Sequence, residues 1–253
     1  MEKQLFFEPA VGRQKPSTIH NKETSCPFCD ENQLEIIIDR NGPIILVENK
    51  YQTLRDTYQT VLIEGGGCES DLSQYPKNHL YKLFQFAMKH WQDFMLSGKY
   101  ASVLMFKNHG PLSGGSIAHP HMQIVGLNKV DYRTNIHNED FKGYVIDYKD
   151  EVEWNLSSNP RMGFYELNVV MSQNGKIEAF ADFIQQSVYY LLNLFRFPCK
   201  SYNLFFYQIG ASFACKIVPR YVTTPLFVGY SIPQVPTDLE LVVKDIQNKV
   251  NIK

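Results

Sequence analysis

The 253-residue chain is 44% apolar with a formal charge of −1, enough apolar matter for one large domain or two small ones, without the basic excess of a general nucleic-acid binder. No stretch approaches the roughly 18 uninterrupted apolar residues of a membrane span, and the opening Met1-Glu-Lys-Gln-Leu-Phe-Phe-Glu8 has neither the basic start nor the long apolar run of a signal peptide. Five cysteines, an odd number, do not make the disulfide framework of a secreted module, so the expected location is cytoplasmic.

Residues 1–40 read as mostly irregular, interrupted by Pro9, Pro16 and Pro27. Within them lies the tight pair Cys26-Pro-Phe-Cys29. That spacing serves redox chemistry when it follows a strand and opens a helix. Here it follows Lys15-Pro16 and the polar stretch Asn21 to Ser25, which favours a metal knuckle in a loop. Strands are predicted at Pro43–Glu48 and Gln59–Glu64, both rich in β-branched residues. Leu80, Leu83, Phe84, Ala87, Trp91, Phe94 and Met95 then recur at three- and four-residue intervals, the stripe of a helix packing one face on a sheet. Gly98 ends it. Strands follow at Ala101–Lys107 and Ile117–Leu127.

The second half repeats that order. Val152–Leu156 and Phe164–Met171 read as strands, Phe180 to Phe195 as a second helical stripe, and Tyr202–Gln208 and Ala214–Pro219 as strands around a Gly210 turn. In this copy His119 corresponds to Ser212, His121 to Ala214 and Gln123 to Lys216. The aromatic stripes are core material. Between the halves, Asn128 to Asp150 is polar and reads as a surface connection, and Thr237-Asp-Leu-Glu240 has capping-box spacing before a final helix. The pattern predicts an α+β chain of two domains. Residues 1–130 hold an N-terminal zinc-binding segment plus a catalytic repeat; residues 131–253 hold a degenerate repeat with the C-terminal helix.

The chemistry concentrates in His119-Pro-His121-Met-Gln123, behind the small-residue run Asn108-His-Gly110-Pro-Leu-Ser-Gly114-Gly115-Ser116. Residues two apart on a strand share a face, so both imidazoles are expected beside the Gln123 amide, a donor to anionic oxygen. Glycines let backbone N–H groups approach a phosphate. For a metal, Cys26 and Cys29 supply two ligands, Cys68 after Gly65-Gly66-Gly67 a third and His119 a fourth. Three thiolates and one imidazole close a structural zinc site, which would pin the N-terminal segment to the histidine strand and aim His121. In the alternative, His119 and His121 both hold a catalytic metal with His109 or His79.

These residues resemble galactose-1-phosphate uridylyltransferase and its relatives in the histidine-triad superfamily, in a small bacterial branch. The resemblance rests on Cys26/Cys29, on the Asn108-x-Gly110 and Gly114-x-Ser116 spacing before His119-Pro-His121-x-Gln123, on Leu46-Val-Glu-Asn49-Lys-Tyr51, and on the duplication. It implies that each half is a histidine-triad-like unit, with antiparallel strands packed against helices and the two halves joining as a pseudo-dimer. It implies His121 as the nucleophile that takes a nucleoside monophosphate from a nucleotide sugar, and His119 as a ligand of structural Zn2+. Cys68 stands where relatives often have a histidine. By position Asn49 resembles a nucleoside contact, and Ser116 and Gln123 resemble phosphate contacts, with Asn108, Gly110, Gly114 and Gly115 shaping the same pocket. The chain departs from the family in its shorter length, its reduced N-terminal segment and the lack of a second metal constellation.

The expected function is nucleotidyl transfer through a covalent nucleotidyl-histidine, with a nucleotide sugar or other nucleotide and a phosphorylated acceptor as partners, in a monomer or homodimer with no nucleic-acid or membrane partner. Passing the same intermediate to phosphate or water would make a dinucleotide or nucleotide-sugar phosphorylase or hydrolase. A non-catalytic nucleotide-binding zinc protein is the third reading, against which the intact His121, Ser116 and Gln123 argue.

Overall fold

The β-branched segments and the two amphipathic stripes become, in the computed structural model, two units with the same strand order. Residues 4–21, 23–65 and 67–250 are described; Gly66 of the triple-glycine run lies outside them. The first unit comprises Met1–Asp71 and Asn78–Asn135, the second Leu72–Lys77 and Ile136–Lys253.

In the first unit the chain runs through α1 (Pro9–Gly12), β1 (Ile37–Asn41), β2 (Ile44–Glu48), β3 (Thr57–Ile63), α2 (Lys77–Leu96), β4 (Ser102–His109) and β5 (His121–Leu127). The strands are antiparallel in the order β1-β2-β3-β5-β4. Leu80, Leu83, Phe84, Ala87 and Trp91 of α2 are buried. The Trp91 indole donates to the Val103 carbonyl on β4 at 3.0 Å, and His90 Nε2 lies 2.8 Å from the Asp39 carboxylate on β1, so one turn of the helix is tied to both β1 and β4. On the alternate side chains of β2 and β3, Ile45, Val47, Val61 and Ile63 form an apolar patch covered by Phe28 and Leu34 of the N-terminal loop.

The second unit repeats this as β6 (Gly143–Lys149), β7 (Val152–Ser157), β8 (Leu167–Met171), α3 (Ile177–Tyr189, continued by a π-helical turn Tyr190–Leu194), β9 (Tyr202–Ile209) and β10 (Ser212–Pro219), followed by α4 (Pro225–Tyr230) and α5 (Leu239–Lys249). Its order is β6-β7-β8-β10-β9, again first, second, third, fifth, fourth, with the long helix between the third and fourth strands. Trp154 stacks on Phe183 with centroids 5.5 Å apart, and Phe180, Ile184 and Val188 are fully buried. No described helix is long and apolar enough to cross a membrane.

Residues 1–40 are mostly irregular, as expected, with β1 forming at Ile37–Asn41. The structure corrects the sequence reading in four places. The polar stretch 128–150 is not a bare connection: it holds two 3-10 turns, Tyr132–Asn135 and Asn138–Phe141, and β6. The last strand of the first unit starts at His121, so His119 precedes it and does not share its face. Phe164 has φ of 62° and Gly163 of 114°, so the chain turns there and β8 begins only at Leu167. At α5 the N-cap is Asp238, without a side-chain cap bond; its carboxylate instead accepts from the Tyr165 hydroxyl at 2.8 Å and pairs with Arg196.

Candidate active site and metal centre

The His-Pro-His segment is fixed from three sides. Glu64, just past β3, donates its N–H to the Pro120 carbonyl at 3.1 Å. From the N-terminal segment, Ile19 N–H donates to the Ser116 carbonyl at 3.1 Å, and Thr18 Oγ1 accepts from Ala118 N–H at 2.8 Å. The glycine loop holds its own shape: the Ser113 hydroxyl donates to the Gly110 carbonyl at 2.7 Å and accepts from Gly115 N–H at 3.3 Å. Gly114 has φ of 83°, a left-handed conformation that a Cβ opposes. At Gly115 a Cβ would stand 3.1 Å from that of Asn108, so Gly114 needs glycine for its backbone and Gly115 lets the loop pass close over the end of β4.

His119 turns its Nδ1 toward three sulfurs, at 3.4 Å from Cys29 Sγ and 3.7 Å from those of Cys26 and Cys68. Cys29 and Cys68 are 3.3 Å apart, and all four donor atoms lie within 4.8 Å of one another. Zinc bonds of about 2.3 Å to sulfur and 2.0 Å to nitrogen, in a tetrahedron, need edges of roughly 3.5–3.8 Å. The residues fit such an ion. Their own electrostatics point the same way. Burial and then the neighbouring thiols push the Cys68 thiol up to about 12, and burial raises Cys26, so the packed sulfurs resist ionising together unless a cation compensates them. Among the described residues this quartet is the one converging group of potential ligands, and His121, His109 and His79 are not part of it.

His121 is directed elsewhere. Its Nδ1 lies 2.7 Å from the His119 carbonyl oxygen, which can only accept, so Nδ1 carries the proton. Burial lowers its pKa to about 4, with Lys107 adding to the effect and the carbonyl bond opposing it. The ring is therefore neutral at pH 7 and presents an Nε2 lone pair. It borders a cleft of about 640 Å³, a size suited to a small-molecule ligand. His121, Gln123, Val47 and Val61 line its floor, and Asn108, Gly114, Gly115 and Ser116 one side. Asn49, Lys50 and Tyr51 stand at the rim, where Asn49 Oδ1 accepts from Tyr51 N–H at 2.9 Å and Lys50 pairs with Glu35. Of the residues singled out in the sequence for binding, Gly110 alone does not border the cleft.

Among the bordering residues missed in the sequence, Phe28 and Lys15 bear on the chemistry. Phe28, between the knuckle cysteines, meets both imidazoles edge-on. Lys15 stands half-buried on the N-terminal wall. Burial lowers the pKa of its ammonium group, and no acidic side chain among the described residues is paired with it. The Lys15-Pro16 dipeptide was visible in the sequence, but nothing local marked it as part of a wall.

Two family models match the chain: the N-terminal domain of a domain of unknown function, DUF4931, over residues 7–130, and its C-terminal domain over residues 133–250. The crystal structure of a DUF4931 family protein from Bacillus cereus is 43% identical, with 84% of this chain and 98% of that chain covered and a TM-score of 0.77. A GalT-like protein from Arabidopsis thaliana is 17% identical, with coverage of 99% and 100% and a TM-score of 0.75. An ADP-glucose phosphorylase from the same plant, solved with bound ADP-glucose, is 16% identical, with both chains fully covered at 100% and a TM-score of 0.72. The last two likenesses show a common fold. No curated protein matches. Matched by both family models and 43% identical to a solved member, the chain belongs to the DUF4931 family.

Proposed function

We propose that the protein is a nucleotidyltransferase in which His121 carries the nucleotide. Nε2 attacks the α-phosphorus of a nucleotide sugar or related nucleotide; the P–N bond forms, and the bond to the bridging oxygen breaks with departure of a sugar phosphate or other phosphorylated group. The nucleotidyl group then passes from His121 to the oxygen of a phosphorylated acceptor. The observation that carries this reading is the Nδ1 bond of His121 to the His119 carbonyl, 2.7 Å, which leaves one neutral, unprotonated nitrogen beside a cleft. Gln123, Ser116 and the amides of the glycine loop border the same cleft and supply donors for charge on the phosphoryl oxygens, each worth about 3 kcal/mol when well placed. Lys15 supplies a cation on the N-terminal wall of the cleft.

Zinc held by Cys26, Cys29, Cys68 and His119 would have all four positions filled by protein and would serve to fix the loop. Elemental analysis should give one zinc per chain, lost in Cys68→Ser and kept in His121→Ala; loss in His121→Ala would overturn this division of labour.

Intact-mass measurement after mixing with UDP-glucose, UDP-galactose and ADP-glucose should show one nucleotidyl adduct, absent in His121→Ala. Turnover without an adduct, with sequential kinetics, would refute the proposal. A second reading keeps the intermediate and passes it to inorganic phosphate. It is favoured by the shared fold of the ADP-glucose phosphorylase, and release of a nucleoside diphosphate only when phosphate is added would select it.

A further inference from the structure

Phe28 stands at a junction that neither the cysteine motif nor the histidine motif announces. It lies inside the knuckle, whose turn is closed by Cys29 N–H donating to the Cys26 carbonyl at 3.3 Å. Its ring packs on the patch formed by Ile45, Val47, Val61 and Ile63 of β2 and β3. The same ring meets His119 at a centroid distance of 6.0 Å and an interplanar angle of 89°, and His121 at 5.3 Å and 67°. These are edge-to-face geometries, in which the positive edge of one ring meets the negative face of the other.

Among the described residues the His121 ring has one polar restraint, its Nδ1 bond to the His119 carbonyl. A single bond to one ring atom sets a tautomer but leaves the ring free to tilt about that bond, and a half-turn about the side-chain axis would exchange Nδ1 for a carbon. The neighbouring aromatic surface blocks such motion. Phe28 can do so only while the knuckle holds its place, because its backbone is confined between two cysteines of the quartet.

Resting on the reading of His121 as nucleophile, we infer that Phe28 is a positioning residue through which the cysteine knuckle fixes the orientation of His121. Closure of the metal loop thus reaches the reacting ring through an aromatic contact, without any ligand touching the substrate. This gives the aiming of His121 by the quartet a physical route through Phe28: an intact knuckle and an aligned nucleophile become one condition.

The test uses the full chain in its metal-loaded form, as wild type, Phe28→Leu and Phe28→Tyr. Histidine-selective 15N NMR reads the tautomer of His121 without substrate. Wild type and Phe28→Tyr should show one protonated and one unprotonated nitrogen. Phe28→Leu, with metal content unchanged, should show averaged tautomers. In single turnovers with UDP-glucose or ADP-glucose, adduct formation in the leucine variant should slow by about tenfold, the nucleotide Kd changing less than twofold, and tyrosine should restore the rate. An unchanged His121 spectrum in Phe28→Leu would overturn the inference, as would a loss of metal or a change confined to nucleotide Kd. Absence of any adduct in wild type would instead refute the nucleotidyl-histidine reading, while the spectra would still decide whether Phe28 aligns the ring.

Discussion

The two units carry the same rung of side chains with opposite outcomes. In the first, Val47 pairs with Val61, Val61 with Gln123 and Gln123 with Phe106. In the second, Asn155 pairs with Asn168, Asn168 with Lys216 and Lys216 with Phe205. The first rung floors an open cleft beside His121. The second is itself buried. Lys216, 1% exposed, lies 3.1 Å from the Glu166 carboxylate, itself fully buried, and 5.8 Å from the centre of the Phe141 ring. Glu166 accepts from the N–H groups of Arg161 and Met162 at 2.8 Å each. Asn168 donates to Asn155, which donates to the Phe141 carbonyl. At the counterpart of His121 the register gives Ala214, opposite Val170. Losing an imidazole is a small change; here the counterpart of the cleft floor is filled by a buried polar network, in which Asn168 Oδ1 has no hydrogen-bond partner among the described residues, and a smaller cleft of about 270 Å³ lies beside it, bordered by Phe141, Val170 and Ser212.

The sharpest way to break this comparison is to move the imidazole. His121→Ala should lower adduct formation by about ten-thousandfold or more, as removal of a nucleophile does elsewhere, and Ala214→His should add no second adduct. A doubly nucleotidylated Ala214→His protein would show that the second unit retains a usable cavity.

How much of this was legible in the sequence follows from where each signal resides. The long helices and inner strands were readable because their buried faces write a period into the chain: Leu80 to Trp91, and Phe180 to Val188, are a continuous stripe. β1 and β6 were not, because each pairs with a single strand within its unit and exposes much of its length; Ile37, Tyr144 and Val145 face solvent. The quartet of Cys26, Cys29, Cys68 and His119 could be assembled from residue type and place in the chain, since few side chains hold soft metals and Cys68 follows a glycine run while Cys199 and Cys215 lie in the degenerate repeat. Phe28 and Lys15 could not be assigned, because their roles depend on the N-terminal loop folding across β2, β3 and β5. The segment before β6 was misread for the same reason: its polar residues look solvated, yet Asp140 is buried against Arg161 at 2.7 Å.

A second prediction tests the buried network. Lys216→Met leaves Glu166 charged and buried without its cation, and chemical denaturation should show a loss of about 3–5 kcal/mol. Pairing it with Glu166→Gln removes both charges and should recover much of that loss. Adduct formation at His121 should stay within twofold in either variant. If Lys216→Met cost nothing, the network would not contribute to the stability of the second unit.

Acid should act on the first unit. It contains His20, His79, His90, His109, His119 and His121, whereas the second has only the exposed His137. Burial, aided by Lys107, lowers the pKa of His109 to about 4, below its ordinary value near 6.5. Between those values the unfolded chain takes a proton that the folded chain refuses, so stability contributed by the neutral ring is present above pH 6.5 and is lost as pH falls toward 4. After discounting for partial exposure, on the order of 1–2 kcal/mol is at stake. His109→Gln should flatten the stability profile across that window, and hydrogen exchange at pH 4.5 should rise in β4 and β5 before β9 and β10. Uniform exchange in both units would remove the distinction.

Two lysines give the finest form of the contrast. Lys216 has its carboxylate built in, and the pair is buried to 1% and 0% exposure, so no outside anion has a place beside it. Lys15 is half-buried on a cleft wall, and burial alone lowers its pKa; its charge is compensated fully only when something anionic enters. Lys15→Met should therefore weaken binding of UDP-glucose or ADP-glucose by about tenfold, the scale of one partly screened ion pair, while changing the rate of adduct formation from the bound state less than threefold. The loss should shrink as ionic strength rises, because salt already screens the wild-type contact. Equal affinity in Lys15→Met at low salt would mean that the wall does not face the phosphates, and the polarity assigned to the cleft would have to be reversed.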